Sequence, residues 1–321
     1  MLIIGSGKLN NKWVLSAINS TGHTLYQKKL PKRAHHISKN KNNSHGLVIA
    51  RRPGNYARLF DSKTGQTIKE INAPNNHFFF GHSCFSKNNI IISCGDQTSL
   101  GKLAIYDLAL NFEYFIELNN YGPHQIELIN NNQIAVAVGG LQTIERKILN
   151  MEDFKSELII VDVSINTIIN RYKLANSKLS IRHLHTHNSK VIVAAQLPDR
   201  DTLFENLNTA LIYELKDNQL KAIIHPNWNT FKQYIASISF DDTHLIATSP
   251  KGHTLGIWSI SDNAILFDTQ LSFVDVAGIT QFQNTAFWST GLGYSSSKYN
   301  DVIITSKQEI HWDNHWNTFY V

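Results

Sequence analysis

The chain has 321 residues, 42% of them hydrophobic and 17% charged, where an ordinary domain carries about 25% charged residues. So apolar a composition excludes a disordered segment, and so few charges exclude a coiled coil. Thirty Lys and Arg against 25 Asp and Glu leave +5, a mild and scattered excess that is weak ground for nucleic acid, and no such partner is expected.

Met1-Leu2-Ile3-Ile4 opens the chain as a strand would. The apolar run stops at Gly5-Ser6-Gly7-Lys8, too short for the core of a signal peptide. No later run approaches the ~18 residues that cross a bilayer, so no membrane span is expected. A pattern then recurs: an apolar strand, a turn of Asp, Asn, Ser or Gly, and another strand. Ile18-Asn19-Ser20-Thr21-Gly22 is its first copy and Phe60-Asp61-Ser62-Lys63-Thr64-Gly65 the clearest. Tyr106-Asp107-Leu108, Val161-Asp162-Val163-Ser164, Tyr213-Glu214-Leu215-Lys216 and Trp258-Ser259-Ile260-Ser261 follow, with a worn copy at Thr305-Ser306-Lys307-Gln308. Anchors at 19, 61, 107, 162, 214, 259 and 306 stand 42 to 55 residues apart. Periods of about 40–50 residues holding several short strands are propeller blades. The chain therefore reads as all-β, a seven-bladed β-propeller with four antiparallel strands per blade, filling 1–321 as a single domain.

In the second blade the strands are predicted at 35–39, 46–51, 56–61 and 67–72. Continuous β-rich runs such as Leu47-Val48-Ile49-Ala50 and Val191-Ile192-Val193-Ala194-Ala195 suit strands buried on both faces. The first blade lacks an innermost strand of its own, and residues 318–321 are expected to supply it and close the sheet edge. Cys84 and Cys94 are the only cysteines. They exclude a disulfide framework and read as buried free thiols, with a single bridge left open if their strands are neighbours.

An up-and-down blade sends its loops to two faces. One face receives plain hairpin turns such as Lys39-Asn40-Lys41-Asn42-Asn43 and Asn130-Asn131-Asn132. The other receives the blade crossovers, the inner hairpin loops and two insertions, about 141–157 and 197–209. Function is expected on that second face. Its crossovers place His36, His82, His124 and His183 where innermost strands begin. Imidazoles converging there can hold a transition metal such as iron, copper or zinc, with Glu127 or Asp275 as carboxylate partners. Arg51, Arg52, His77 and Arg182 line the same loops as candidate ligand-binding residues, because guanidinium forks match carboxylate and phosphate. A plainer reading stays open. WD-repeat propellers bury a Gly-His pair at this crossover in a structural hydrogen-bond network, and Gly81-His82 with Asp107, or Pro123-His124 with Asp162, fits that pattern. A scaffold would show an exposed apolar patch, with Phe78, Phe79 and Phe80 as candidates. Phosphate-loop, zinc-helix, nucleophile-elbow and dinucleotide signatures are absent, so a standard hydrolase or NAD enzyme is not expected, while a His- or metal-dependent enzyme stays open.

Several of these motifs together carry a resemblance. Leu30-Pro31-Lys32-Arg33-Ala34-His35, Ala50-Arg51-Arg52-Pro53-Gly54, His77-Phe78-Phe79-Phe80-Gly81-His82-Ser83-Cys84, Gly122-Pro123-His124, Gly139-Gly140-Leu141-Gln142-Thr143, Ser180-Ile181-Arg182-His183 and Asp275-Val276-Ala277-Gly278 resemble the bacterial family called domain of unknown function 1513. The resemblance implies a propeller of the kind shared with quinoprotein amine dehydrogenase chains. It also implies export to the periplasm and a role in acquiring iron or another metal, with imelysin-like or peroxidase-like proteins as partners. Two departures stand out. The chain as read begins without an export signal, which would leave it cytoplasmic, and Ile144-Glu145-Arg146 replaces a His-Pro-Asp-like segment common in the family.

Overall fold

A computed structural model describes residues 1–144, 147–198, 208–261 and 264–319. Its fold is a seven-bladed β-propeller: among the described residues there are seven four-stranded antiparallel sheets, plus one small hairpin inside the first insertion. The second insertion, 197–209, falls largely outside the described residues. So do Glu145 and Arg146 of the first.

The predicted strands of blade 2 appear as Ala34–Lys39, His45–Ala50, Tyr56–Asp61 and Thr67–Asn72, hydrogen-bonded in that order. Burial falls off along that order for a physical reason. The two inner strands are enclosed on both faces, and the second of them carries the apolar run Leu47-Val48-Ile49-Ala50, whereas the outermost, Thr67–Asn72, mixes half-buried with exposed positions. Blade 1 is built from both termini. His311–Phe319 pairs antiparallel with Leu2–Leu9, setting Leu2 opposite Phe319 and Ile4 opposite Asn317. The C-terminal segment thus supplies the missing innermost strand, starting earlier than expected; Tyr320 and Val321 lie outside the described residues. Trp312 and Trp316 of this strand are buried and pack edge to face at 5.0 Å.

Four of the seven turn anchors, Asn19, Asp61, Asp107 and Asp162, sit at the hairpin between third and outermost strands, and Glu214 and Ser259 lie within third strands just before it. The seventh does neither: Ser306 lies inside the outermost strand Val302–Lys307, and the corresponding turn is Asn300-Asp301.

Contacts divide the chain into two units. Unit one comprises Met1–Arg51, Tyr56–Asn72 and Ala236–Val321, hence blades 1, 2, 6 and 7. Unit two comprises Arg52–Asn55 and Ala73–Ile235, hence blades 3, 4 and 5. No helix among the described residues is long and apolar enough to cross a membrane. Cys84 and Cys94 lie on neighbouring strands but out of register, opposite Ile91 and Phe79 respectively. Both are free and buried, and burial pushes both thiols well above their usual range.

One irregularity positions the site. Six of the seven innermost strands carry a β-bulge near their start, between Ala34 and His36, Phe79 and Ser83, Pro123 and Ile126, Ile181 and His183, Val276 and Ile279, and Trp312 and Trp316. Ser237–Phe240 of blade 6 is regular. A bulge adds a residue to one strand, breaks the alternation of side chains and re-aims them. The residues in these bulges are His35, Phe80-Gly81-His82, His124-Gln125, Arg182, Ala277-Gly278 and Asp313-Asn314-His315. Gly81 takes φ +100°, a conformation closed to a residue with Cβ. Hydroxyls of second strands satisfy backbone groups that the bulges take out of the ladder: Ser93 Oγ donates to His82 O at 3.1 Å, and Ser289 Oγ accepts from Gly278 N–H at 3.1 Å.

Candidate metal centre

Within unit two, the bulges of three successive blades bring His82, His124 and His183 together. Ring centroids lie 4.6 Å apart for His82 and His124, 5.0 Å for His124 and His183, and 6.1 Å for His82 and His183. A ring nitrogen of His82 stands within 4.8 Å of one on His124 and of one on His183. His82 and His183 are buried, and His124 is half-buried. With metal–nitrogen bonds near 2.0–2.1 Å, imidazoles sharing one ion have centroids about 4.5–5.2 Å apart, from right-angled to tetrahedral geometry. Two of the three separations fall in that range, and the third needs to close by about 1 Å.

His183 is held in one tautomer. Its Nδ1 lies 3.1 Å from Gln125 Oε1, while Gln125 Nε2 donates to Glu127 Oε1 at 2.8 Å. Because the Gln125 amide NH2 is committed to the carboxylate, its oxygen faces His183 and can only accept. Nδ1 therefore carries the proton, and Nε2 keeps the lone pair a metal requires. Glu127 is anchored in turn: its Oε2 accepts from Thr186 N–H at 2.8 Å and Thr186 Oγ1 at 3.3 Å. Glu127, expected as a direct carboxylate partner, thus acts through Gln125, a residue sequence reasoning passed over.

Arg182 occupies the extra position of the same bulge. Its Nε is buried with no hydrogen-bond partner among the described residues. Burial pulls its proton affinity down to about 10, against the opposing effect of Tyr234, so it remains a cation at neutral pH. A Cβ on Gly139 would lie 3.1 Å from its Cζ, so the guanidinium rests on bare backbone. A cation placed this way favours an anion beside it.

The remaining predicted residues fall elsewhere. Arg52, in unit two, is occupied: its Nη2 donates to Ser99 Oγ and Thr143 Oγ1, both at 2.8 Å, and its guanidinium lies over Phe80 at 4.1 Å. It clamps two loops. His77 stacks on Phe115 at 4.5 Å, with Nδ1 2.8 Å from Asn75 O. Arg51 belongs to unit one, where its N–H donates to Arg33 O at 2.9 Å. His36 also belongs to unit one and is buried beside His315. Burial, then the charge of His35, pushes its proton affinity down to about 3, so the ring is neutral. Asp275, likewise in unit one, crowds Gly291, where a Cβ would meet Oδ2 at 2.0 Å, and burial raises its carboxyl pKa. Asp107 and Asp162 cap their own hairpin turns, accepting from Asn111 N–H at 2.7 Å and Ser164 N–H at 2.9 Å. Phe79 and Phe80 are buried in the core.

Repeating four-stranded blades with imidazoles gathered at bulged innermost strands define a β-propeller protein with a histidine-rich candidate site. The chain belongs to the family described as protein of unknown function (DUF1513), whose profile matches residues 28–319. No curated protein matches it. Among solved structures it is similar to Kuenenia stuttgartiensis hydrazine synthase, with a TM-score of 0.66 and 10% identity over 92% of this chain and 89% of that one. It is also similar to BamB from Moraxella catarrhalis, with a TM-score of 0.55 and 7% identity over 95% of this chain and 83% of that one. At such identities these likenesses show the fold alone.

Proposed function

We propose that this chain is a binding module that holds a transition-metal ion at His82, His124 and His183, either bare or as a small anionic chelate. The observation that carries the reading is the approach of three imidazoles from three blades, one of them set by Gln125 in the tautomer with Nε2 unprotonated. Imidazole sets suit zinc, copper, iron and nickel, whereas calcium and magnesium take oxygen ligands. Arg182 supplies a positive charge on the same strand, which favours an ion arriving with carboxylate or phosphate oxygens. A periplasmic setting, a part in acquiring iron or another metal, and imelysin-like or peroxidase-like partners complete the proposal, on the strength of the family resemblance. Of the apolar residues named for the scaffold reading, Phe79 and Phe80 are buried and Phe78 is half-buried.

The test is calorimetry with zinc(II) and copper(II) on the metal-stripped chain, backed by elemental analysis. Stoichiometric binding, weakened at least tenfold in His82→Ala/His183→Ala, is the expected result. Binding that ignores this double substitution, or no binding at all, removes the proposal.

A further inference from the structure

Unit one has a histidine group of its own, built by the same device. His35 stands in the bulge of blade 2 and His315 in the bulge of blade 1, and His36 follows His35 along the strand. The His35 and His315 centroids are 4.7 Å apart with rings at 87°, and those of His36 and His315 are 5.5 Å apart at 81°. All three residues are buried. Behind His35 lies Asp313, whose side chain is 1% exposed. Arg33 Nε donates to Asp313 Oδ2 at 2.6 Å, and His35 Nδ1 stands 3.8 Å from Oδ1.

We propose that His35, His36 and His315 are ligands for a transition-metal ion, with Asp313 as the carboxylate that orients His35. The His35–His315 separation of 4.7 Å falls within the range for imidazoles around one ion, about 4.5–5.2 Å, and the His36–His315 pair, at 5.5 Å, lies outside it. A carboxylate behind a ligating imidazole fixes its orientation and raises its basicity. With Nδ1 turned to Asp313, His35 presents Nε2 on the opposite side of its ring. Arg33 neutralises Asp313, so what the group offers an ion is neutral nitrogen. That chemistry selects a borderline or soft cation over calcium or magnesium. Simple packing is served better by apolar side chains, as at the neighbouring Trp312 and Trp316, and does not require a charged pair behind one imidazole. The inference does not rest on the His82 site, because every residue in it belongs to unit one.

The experiment is zinc(II) titration of the full-length, metal-stripped chain labelled with 15N-histidine, followed by NMR of the imidazole nitrogens. The expected result is a zinc-dependent shift at His35 and His315, with the exposed His23 unmoved. His315→Gln, chosen to retain bulk, and Asp313→Asn are expected to weaken zinc binding at least tenfold, read by calorimetry. Imidazole signals of His35 and His315 that stay in place at saturating zinc overturn the inference, even if a variant fails to fold. His82→Ala/His183→Ala tests the other reading separately, so the failure of either proposal is recognisable.

Discussion

The two histidine groups differ in what stands behind them. In unit two, His183 leans on a neutral amide, Gln125, which Glu127 orients. In unit one, His35 faces a buried carboxylate, Asp313, which Arg33 compensates. The backbone device is common to both, since each group gathers where bulges re-aim side chains at the start of innermost strands. The difference lies in electrostatic cost. An amide chain orients an imidazole without burying a charge beside it, whereas the carboxylate must be balanced by a cation or it destabilises the fold. The chain therefore positions imidazoles cheaply in one unit and at some risk in the other.

The sharpest way to break this comparison is Asp313→Ala. Removing the buried partner strands Arg33 and His35, and loss of one member of a buried ion pair costs about 3 kcal/mol. Arg33 is 37% exposed, so water recovers part of that cost. Urea unfolding of the metal-stripped chain should show a loss of about 2–3 kcal/mol. A loss below about 0.5 kcal/mol, within the range of an ordinary surface substitution, means that the carboxylate is not the costly element described.

Gln125→Leu tests the other side with a smaller effect. It keeps the side chain's bulk, removes the acceptor for His183 Nδ1 and leaves Glu127 without its amide donor. Loss of an orienting group behind a metal ligand typically costs 10–100-fold in affinity, which is about 1.4–2.7 kcal/mol. Calorimetry with zinc(II) reads it directly. Unchanged affinity would show that the tautomer of His183 does not matter, and the contrast between amide and carboxylate backing would collapse.

What was legible in the sequence follows from what strands and turns require. Apolar runs such as Leu47-Val48-Ile49-Ala50 and turns such as Asp61-Ser62-Lys63-Thr64-Gly65 carry the blade period openly, because enclosure and hairpin geometry each demand particular residues. The period failed at its last copy: the true turn, Asn300-Asp301, has no Asp-to-Gly signature, and the polar Ser306 imitates one inside an edge strand. His36, His82, His124 and His183 were legible as residues at strand starts. Their convergence was expected too, but not which rings would stand together, because that depends on bulges, and a bulge reverses the side-chain parity that a period of two assigns. His35 reads by parity as facing away from His36. His315 and Asp313 read as packing residues until the last strand is seen beside Leu2–Leu9. Gln125 is invisible for a different reason: its importance lies in which way its amide faces, and composition carries no trace of that. Arg52 illustrates the reverse error, since its charge suggests a ligand while the fold uses it against Ser99, Thr143 and Phe80.

His225 sharpens the comparison with the smallest effect. It lies in unit two, buried beside Trp228 at 5.0 Å and Phe231 at 5.3 Å, and its Nδ1 accepts from Asn227 N–H at 3.0 Å. This is how a structural histidine looks here: a ring set among aromatic side chains and serving a local turn. Burial lowers its pKa below the usual 6.5. The unfolded chain therefore binds this proton at a higher pH than the folded chain does. Its contribution to stability is complete above the unfolded value, and is lost as pH falls below about 6.5 toward the folded one. His225→Phe, which keeps the aromatic packing and cannot be protonated, should flatten the decline in stability between pH 7 and pH 5, read as urea midpoints at each pH. It should leave zinc affinity untouched. A variant that keeps the full acid slope, or one that loses zinc, would show that His225 is not a structural histidine, and that burial alone does not separate supporting histidines from ligating ones.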